Sequence, residues 1–284
     1  GDKIICGLPS YLGGLSAFRS YGGVPVGIKF DKDGMCPIEL ENTLAKMRSE
    51  NDLPKFLYLI PDFQNPAGIT YPESRRLELL AIADKYDLLV IEDSPYRELR
   101  FDGKEQKMMF ELDKSDRVVV LGTFSKILAP GFRIGWVVAH EKIIEKFVTA
   151  KQAVDLCTPA ILQMAVAKYM EKGMMSINLK KTIDMYRIKR DLMLSCFKKY
   201  MPQEITWTEP EGGLFLFLYL PEGMDSEDLF KIAIEKDVAF VIGKVFHCDG
   251  SGANTMRLNF SFPTHEQIEE GVKRLAEAIK TMIG

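Results

Sequence analysis

The sequence predicts an α/β fold: a mostly parallel sheet sandwiched by helices, followed by a smaller C-terminal α+β domain. Two observations carry that expectation. In the first half, short apolar runs (KIIC, KFLYLIP, DLLVIED and RVVVLG) alternate with longer amphipathic stretches, the pattern of βαβ units. In the second half the alternation stops, and helical stretches precede a group of short strand candidates. The expected division is a large domain over 1–155 and a small one over 156–284, with the boundary in KQAVDLCTP.

The elements follow in chain order. TYPESRRLELLAIADKYD reads as a crossover helix, with Thr70 and Glu73 in capping-box spacing, Pro72 in the first turn and apolar residues at helical spacing. TPAILQMAVAKYMEKG and residues 177–200 read as helices. EITWTEP, GLFLFLYL, VAFVIG and TMRLNFSF read as strands. DSEDLFKIAIEKD and THEQIEEGVKRLAEAIKTMI are further helices, the last with Thr264 and Gln267 in capping-box positions.

Composition narrows the function. The chain has 284 residues, 46% of them hydrophobic, enough for a large core, and its net charge of -3 comes from interspersed acids and bases. Without a basic stripe there is no support for nucleic-acid binding. The longest apolar stretch, around GLFLFLYLP, is too short to span a bilayer, and no signal segment opens the chain, so the expectation is a soluble, cytoplasmic protein without a membrane partner. Cys6, Cys36, Cys157, Cys196 and Cys248 are scattered and read as packing residues of a reducing compartment. His140, His247 and His265 lack ligand spacing, so no metal site is expected.

Each strand candidate ends in polar residues: DFQNPAG, then EDSPY, then TFSK. In a parallel sheet those ends share one rim, where open α/β sheets bind ligands. Asn65, Asp93 and Lys126 follow one another at roughly 30-residue intervals, about one βαβ unit each. Alone, Lys126 would read as a surface lysine, Asp93 as a turn cap, Asn65 before Pro66 as a turn former and Tyr96 as core. Together they suggest more. Thr123, Ser125 and Arg133 form a set of donors suited to a phosphate dianion, and a partly shielded Lys126 beside them could attack a carbonyl. That combination suggests pyridoxal 5'-phosphate, whose protonated ring nitrogen Asp93 would hold and whose ring oxygen Asn65 and Tyr96 would contact.

QNPAG, EDSPY and TFSKILAPGFRIGW, in this order and spacing, resemble the signatures of the fold type I pyridoxal-phosphate aminotransferases, class I/II, closest to the 2-aminoadipate and kynurenine aminotransferase branch. The resemblance runs the length of the chain, from GLPSYLGG to EGGLF and MRLNFS. It implies Lys126 as the catalytic Schiff-base lysine and proton carrier, with Asp93, Asn65, Tyr96, Thr123, Ser125 and Arg133 around the cofactor. It further implies Tyr11 on the ring face, Arg257 on the substrate α-carboxylate beside Asn65, and Gly68, Pro130 and Gly131 for backbone shape. The implied partners are an L-amino acid, a 2-oxo acid and a second copy of the chain in a homodimer.

Two departures stand out. The chain begins well downstream of where members of that family begin, so an N-terminal part of the large domain is expected to be missing, which would leave the RIGWVVA strand with an open edge. VIGKVF lacks a proline expected before Gly243, read as a loop adjustment. Alternatives remain: a truncated, inactive chain of the same fold, or a cofactor-sensing effector domain of a transcriptional regulator, although such domains typically read EDDY where this chain has EDSPY. A serine hydrolase built on Thr123 or Ser125 with Lys126 lacks partner motifs such as KTG or SDN. Substrate side chain is not legible; 2-aminoadipate and aromatic, branched or small amino acids all stay open.

Overall fold

The computed structural model describes residues 1–283. The chain runs β1 (Lys3–Leu8), α1 (Leu12–Ser20), β2 (Val24–Asp31), β3 (Gly34–Met35), α2 (Pro37–Ser49), β4 (Phe56–Leu59), α3 (Glu73–Lys85), β5 (Leu89–Asp93), α4 (Met109–Leu112), β6 (Val118–Thr123) and β7 (Gly135–Val138). It continues with α5 (Glu141–Val154), α6 (Ala160–Glu171), α7 (Met174–Tyr200), β8 (Thr206–Trp207), β9 (Phe215–Tyr219), α8 (Ser226–Glu235), β10 (Val241–Ile242), β11 (Thr255–Asn259) and α9 (His265–Ile283).

The first seven strands form one sheet in the order β3-β2-β1-β4-β5-β6-β7. From β2 to β6 the neighbours are parallel, while β3 and β7 run antiparallel at the edges. Strand order reverses between β1 and β4, because the chain adds β2 and β3 on one side of β1 before returning to its other side. Such a switch point opens a crevice beyond the carboxyl ends of the two strands, which is where this class of sheet takes ligands.

The central strands β1, β4, β5 and β6 are largely buried on both faces, and their two-residue period divides the core. Ile5, Leu57, Leu59 and Val90 join α2 and α3 through Leu40, Leu44, Leu79 and Ala83. Ile4, Cys6, Tyr58 and Ile60 point the other way, toward Leu15 of α1. The second sheet, β10-β11-β9-β8, is antiparallel. Its core packs Leu216, Leu218 and Met256 against Phe197 of α7, Leu229 of α8 and Leu275 and Ile279 of α9.

Local expectations divide. At α9 the capping box forms: the Thr264 amide donates to Gln267 Oε1 at 2.8 Å, and the Gln267 amide donates to Thr264 Oγ1 at 3.3 Å. At α3 it does not. Pro72 occupies the cap position, the Glu73 amide donates instead to Gln106 Oε1 at 3.0 Å, and the buried Thr70 hydroxyl has no partner among the described residues. A residue from a distant loop has taken the place of the local cap. The long helix α7 starts at Met174, just after Gly173 in a left-handed conformation, a few residues earlier than its periodicity suggests. Of the five cysteines, Cys6 and Cys196 are buried but Cys157 is exposed, so packing does not explain all of them. β7 lies at the sheet edge with every residue exposed.

One side chain ties α3 to the sheet. Arg76, fully buried, donates to both oxygens of Asp62 at 2.8 and 3.2 Å and to the carbonyls of Tyr71, Pro61 and Lys107. It also lies 3.9 Å from Glu92, whose oxygens accept the Met109 and Phe110 amides. Removing one partner of such a pair strands a charge in the core. Asp62→Ala is therefore expected to lower unfolding free energy by about 3–5 kcal/mol, read as an earlier midpoint in urea.

Candidate active site

The crevice at the switch point collects the carboxyl ends of four parallel strands. β1 delivers Tyr11, β4 delivers Asn65, β5 delivers Asp93 and Tyr96, and β6 delivers Thr123, Ser125 and Lys126. Arg257 enters from β11 of the second sheet. Both sheets thus reach the crevice, and the candidate residues lie where they do.

Asn65 is the link between them. Its Oδ1 accepts from Arg257 at 2.8 Å, and its Nδ2 donates to the Tyr96 hydroxyl at 3.2 Å. Gln64, absent from the sequence-derived set, makes the loop rigid: Nε2 donates to the Pro9 carbonyl at 2.9 Å and Oε1 accepts the Ala67 amide at 2.7 Å, pinning the loop after β4 to the loop after β1. Gly68 has φ +72, and a Cβ there would press on Pro210 and the Phe215 carbonyl, so the expected role in backbone shape holds. Gly131 differs. It has open space around it and no positive φ; in the turn that contains it, the left-handed residue is Arg133, with φ 55.

Tyr58 is the second residue that the sequence reading missed. Its hydroxyl donates to Asp93 Oδ2 at 2.6 Å. A buried tyrosine must place its hydroxyl somewhere, and the alternation in FLYL puts Tyr58 on the α1 face; that was the available signal. Burial lifts the half-buried Asp93 carboxyl above the usual range, and the Tyr58 bond pulls it back.

Thr123 Oγ1 accepts the Ser125 amide at 3.1 Å and lies within hydrogen-bond reach of the Ser125 hydroxyl and the Ile134 carbonyl, so it braces the loop as well as facing the rim. Arg133 is exposed, and one guanidinium nitrogen donates to the Pro130 carbonyl at 3.3 Å. The Lys126 amine sits below the ordinary lysine range, first through partial burial and then through the positive charges of Arg257 and Arg133. Arg257 stacks over Phe215 at 4.1 Å, and its buried Nε has no hydrogen-bond partner among the described residues. Tyr96, whose acidity burial suppresses, feels both Asp93 and Arg257.

Among the described residues, neither Lys126, Arg133 nor Arg257 forms an ion pair, and Asp93 pairs with no cation. The rim therefore carries cations lacking acids and an acid lacking a base. An anionic guest with a protonated ring nitrogen satisfies both, and phosphopyridoxal has that chemistry. Among the described residues no His, Cys, Asp and Glu cluster could hold a metal ion.

Fold and rim together define a phosphopyridoxal-dependent enzyme of the doubly wound class. Comparison narrows it: the profile of aminotransferase class I and II matches residues 1–275, and the chain belongs to that family. It is 46% identical to an aromatic-amino-acid aminotransferase of Thermococcus litoralis over 99% of this chain and 67% of that protein. A kynurenine aminotransferase from Pyrococcus horikoshii, solved with PMP, superposes with a TM-score of 0.98 at 43% identity, covering 100% of this chain and 70% of that one. An alpha-aminoadipate aminotransferase from Thermus thermophilus, solved with N-(5'-phosphopyridoxyl)-L-leucine, gives 0.93 at 38% identity, covering 100% and 72%. The cofactor is pyridoxal 5'-phosphate and the reaction class is amino-group transfer. The chain spans roughly two thirds to seven tenths of these relatives.

Because Asn65 serves both sheets, Asn65→Ala should leave Arg257 and Tyr96 each short of a bond. A loss of about 1–3 kcal/mol in equilibrium denaturation is the expected outcome.

Proposed function

We propose that this rim moves an amino group between an L-amino acid and a 2-oxo acid, with Lys126 as the residue that bonds the cofactor. The observation that carries the reading is the Lys126 amine, depressed by burial and two arginines with no carboxylate among the described residues to hold it charged. When bound, pyridoxal phosphate supplies a carbonyl that receives the amino group and an electron sink for bond cleavage at the α-carbon.

The residues divide the remaining work. Lys126, as a neutral amine, would hold the cofactor through its carbonyl group and, when free of it, would take and return the proton at the substrate's α-carbon. Asp93 keeps the ring nitrogen protonated. The Tyr96 hydroxyl accepts from Asn65, leaving its own proton for the ring oxygen, and Asn65 has a second amide proton for the same atom. Thr123, Ser125 and Arg133 hold the phosphate, and Tyr11 covers the ring. Arg257 grips the substrate carboxylate through its fork, its position set by Asn65 and two aromatic faces.

The relatives' names span aromatic amino acids, 2-aminoadipate and kynurenine, so the reading commits to the α-amino and α-carboxylate groups and leaves the side chain open. We further propose two domains divided near residue 155, since the second core is built almost wholly from residues beyond it. A homodimer is supported by exposed apolar residues on β7, α5 and α6, among them Trp136, Val148, Ile161 and Met164. A cytoplasmic location is supported by free cysteines and by the absence, among the described residues, of a helix long and apolar enough to cross a membrane.

Borohydride reduction of the protein mixed with pyridoxal phosphate, followed by peptide mapping, tests the site. The lowered Lys126 pKa means that its neutral fraction appears at a lower pH than that of surface lysines, so labelling near neutral pH should concentrate on Lys126 and vanish in Lys126→Arg. Adducts spread over surface lysines would overturn the assignment. For Arg257→Ala, carboxylate-bearing ligands should bind about 10- to 100-fold more weakly in equilibrium titration, with cofactor affinity largely kept.

A further inference from the structure

Asp93 presents only half of its carboxylate to the crevice. Oδ2 is taken by the Tyr58 hydroxyl at 2.6 Å, whereas Oδ1 makes no hydrogen bond among the described residues. Tyr58 is itself held on several sides. It lies on the α1 side of β4, its ring meets the edge of Phe18 at 5.3 Å and 78°, and Gly14 of α1 comes so close that a Cβ there would lie 3.3 Å from the phenol. The phenol therefore has little freedom to turn, and it points its hydroxyl at one oxygen.

We propose that Tyr58 is a positioning residue for the reaction: its hydroxyl fixes the Asp93 carboxylate and keeps it ionised, with Oδ1 directed to the cofactor's ring nitrogen. This rests on the reading of Asp93 as the partner of that nitrogen. The physical need is plain. A half-buried carboxylate with no cation beside it is driven toward its neutral form, and a protonated Asp93 could not hold the nitrogen's proton. A hydrogen bond to the charged form opposes that drift without adding a positive charge that would compete with the ring.

The other groups around Asp93 do not supply this. From the loop after β5 comes Tyr96, whose hydroxyl accepts from Asn65, and from the loop ahead of α1 comes Tyr11, which acts on Tyr58 and Tyr96. Glu92, the sequence neighbour, is turned to Arg76 and the Met109 and Phe110 amides. From β6, Leu121 lies in register with Asp93 and brings no charge. Burial, followed by the charge of Asp93, holds the Tyr58 proton well above the ordinary phenol range, so Tyr58 remains a donor throughout the working pH range.

Tyr58→Phe removes one oxygen and keeps the ring against Phe18, so the fold should be retained, with a melting curve close to the parent's. The first readout needs no cofactor: the Asp93 carboxyl is titrated by carbon NMR in the cofactor-free protein, assigned by its loss in Asp93→Asn. Its midpoint should rise in Tyr58→Phe, and an unchanged midpoint would overturn the proposal. The second readout compares pyridoxal phosphate with its 1-deaza analogue, in which carbon replaces the ring nitrogen. Tyr58→Phe should bind pyridoxal phosphate about tenfold more weakly, the size of one charge-assisted hydrogen bond, and bind the analogue as the parent does. Equal losses for both would show a merely structural role and overturn the proposal. If the parent bound neither compound while its carboxyl still responded to Tyr58→Phe, the cofactor reading would fail, and the positioning role with it.

Discussion

The constraint on which the site depends is the burial of Arg76. A guanidinium out of water must have all of its donors met and its charge compensated, and here Asp62, three backbone carbonyls and nearby Glu92 do so. Those partners come from different elements: Pro61 and Asp62 follow β4, Glu92 lies in β5, and Lys107 leads into α4. Satisfying one side chain therefore clamps together the ends of two neighbouring strands. Asn65 comes three residues after Asp62, and Asp93 immediately after Glu92. Asn65 and Asp93 thus sit just beyond a charge network that cannot loosen without leaving an unpaired ion in the core.

Beyond that clamp the charge arrangement inverts. Behind the rim, Arg76, Asp62 and Glu92 each have a counterpart. On the rim, among the described residues, Lys126, Arg133 and Arg257 lack acids, and Asp93 lacks a cation. Desolvation makes such an arrangement costly in the empty protein and favourable once an anion with a protonated ring nitrogen enters. Burial depresses the Lys126 amine first, and the unmet charges of Arg257 and Arg133 lower it further. Arg257 adds a mechanical link: through Asn65 it fastens the second sheet to the first across the crevice.

Much of this was legible in the residues. Apolar runs ending in polar clusters placed Asn65, Asp93 and Lys126 on one rim, and the structure has them there because parallel strands align their carboxyl ends. The α9 capping box formed as its spacing indicated, since both partners lie within one turn. The α3 box did not, because Gln106 reaches in from a loop more than thirty residues away. Tyr58 and Gln64 went unnoticed for a similar reason: each is ordinary in its own segment and acquires a role only from what another strand end places opposite it.

The sequence by itself determined the periodicities, hence the strands and helices, and the residue types at the strand ends, hence a chemistry of amine, acid, hydroxyls and guanidinium groups. These are properties of neighbours along the chain, governed by sterics and the two-residue and 3.6-residue repeats. Only the tertiary structure decided which groups lost their water and which found partners. Asp93 gained a phenol, Arg257 gained an amide and two aromatic faces, and Lys126 gained two positive neighbours. The strength of a charge is set by its surroundings in three dimensions, and no local pattern encodes them.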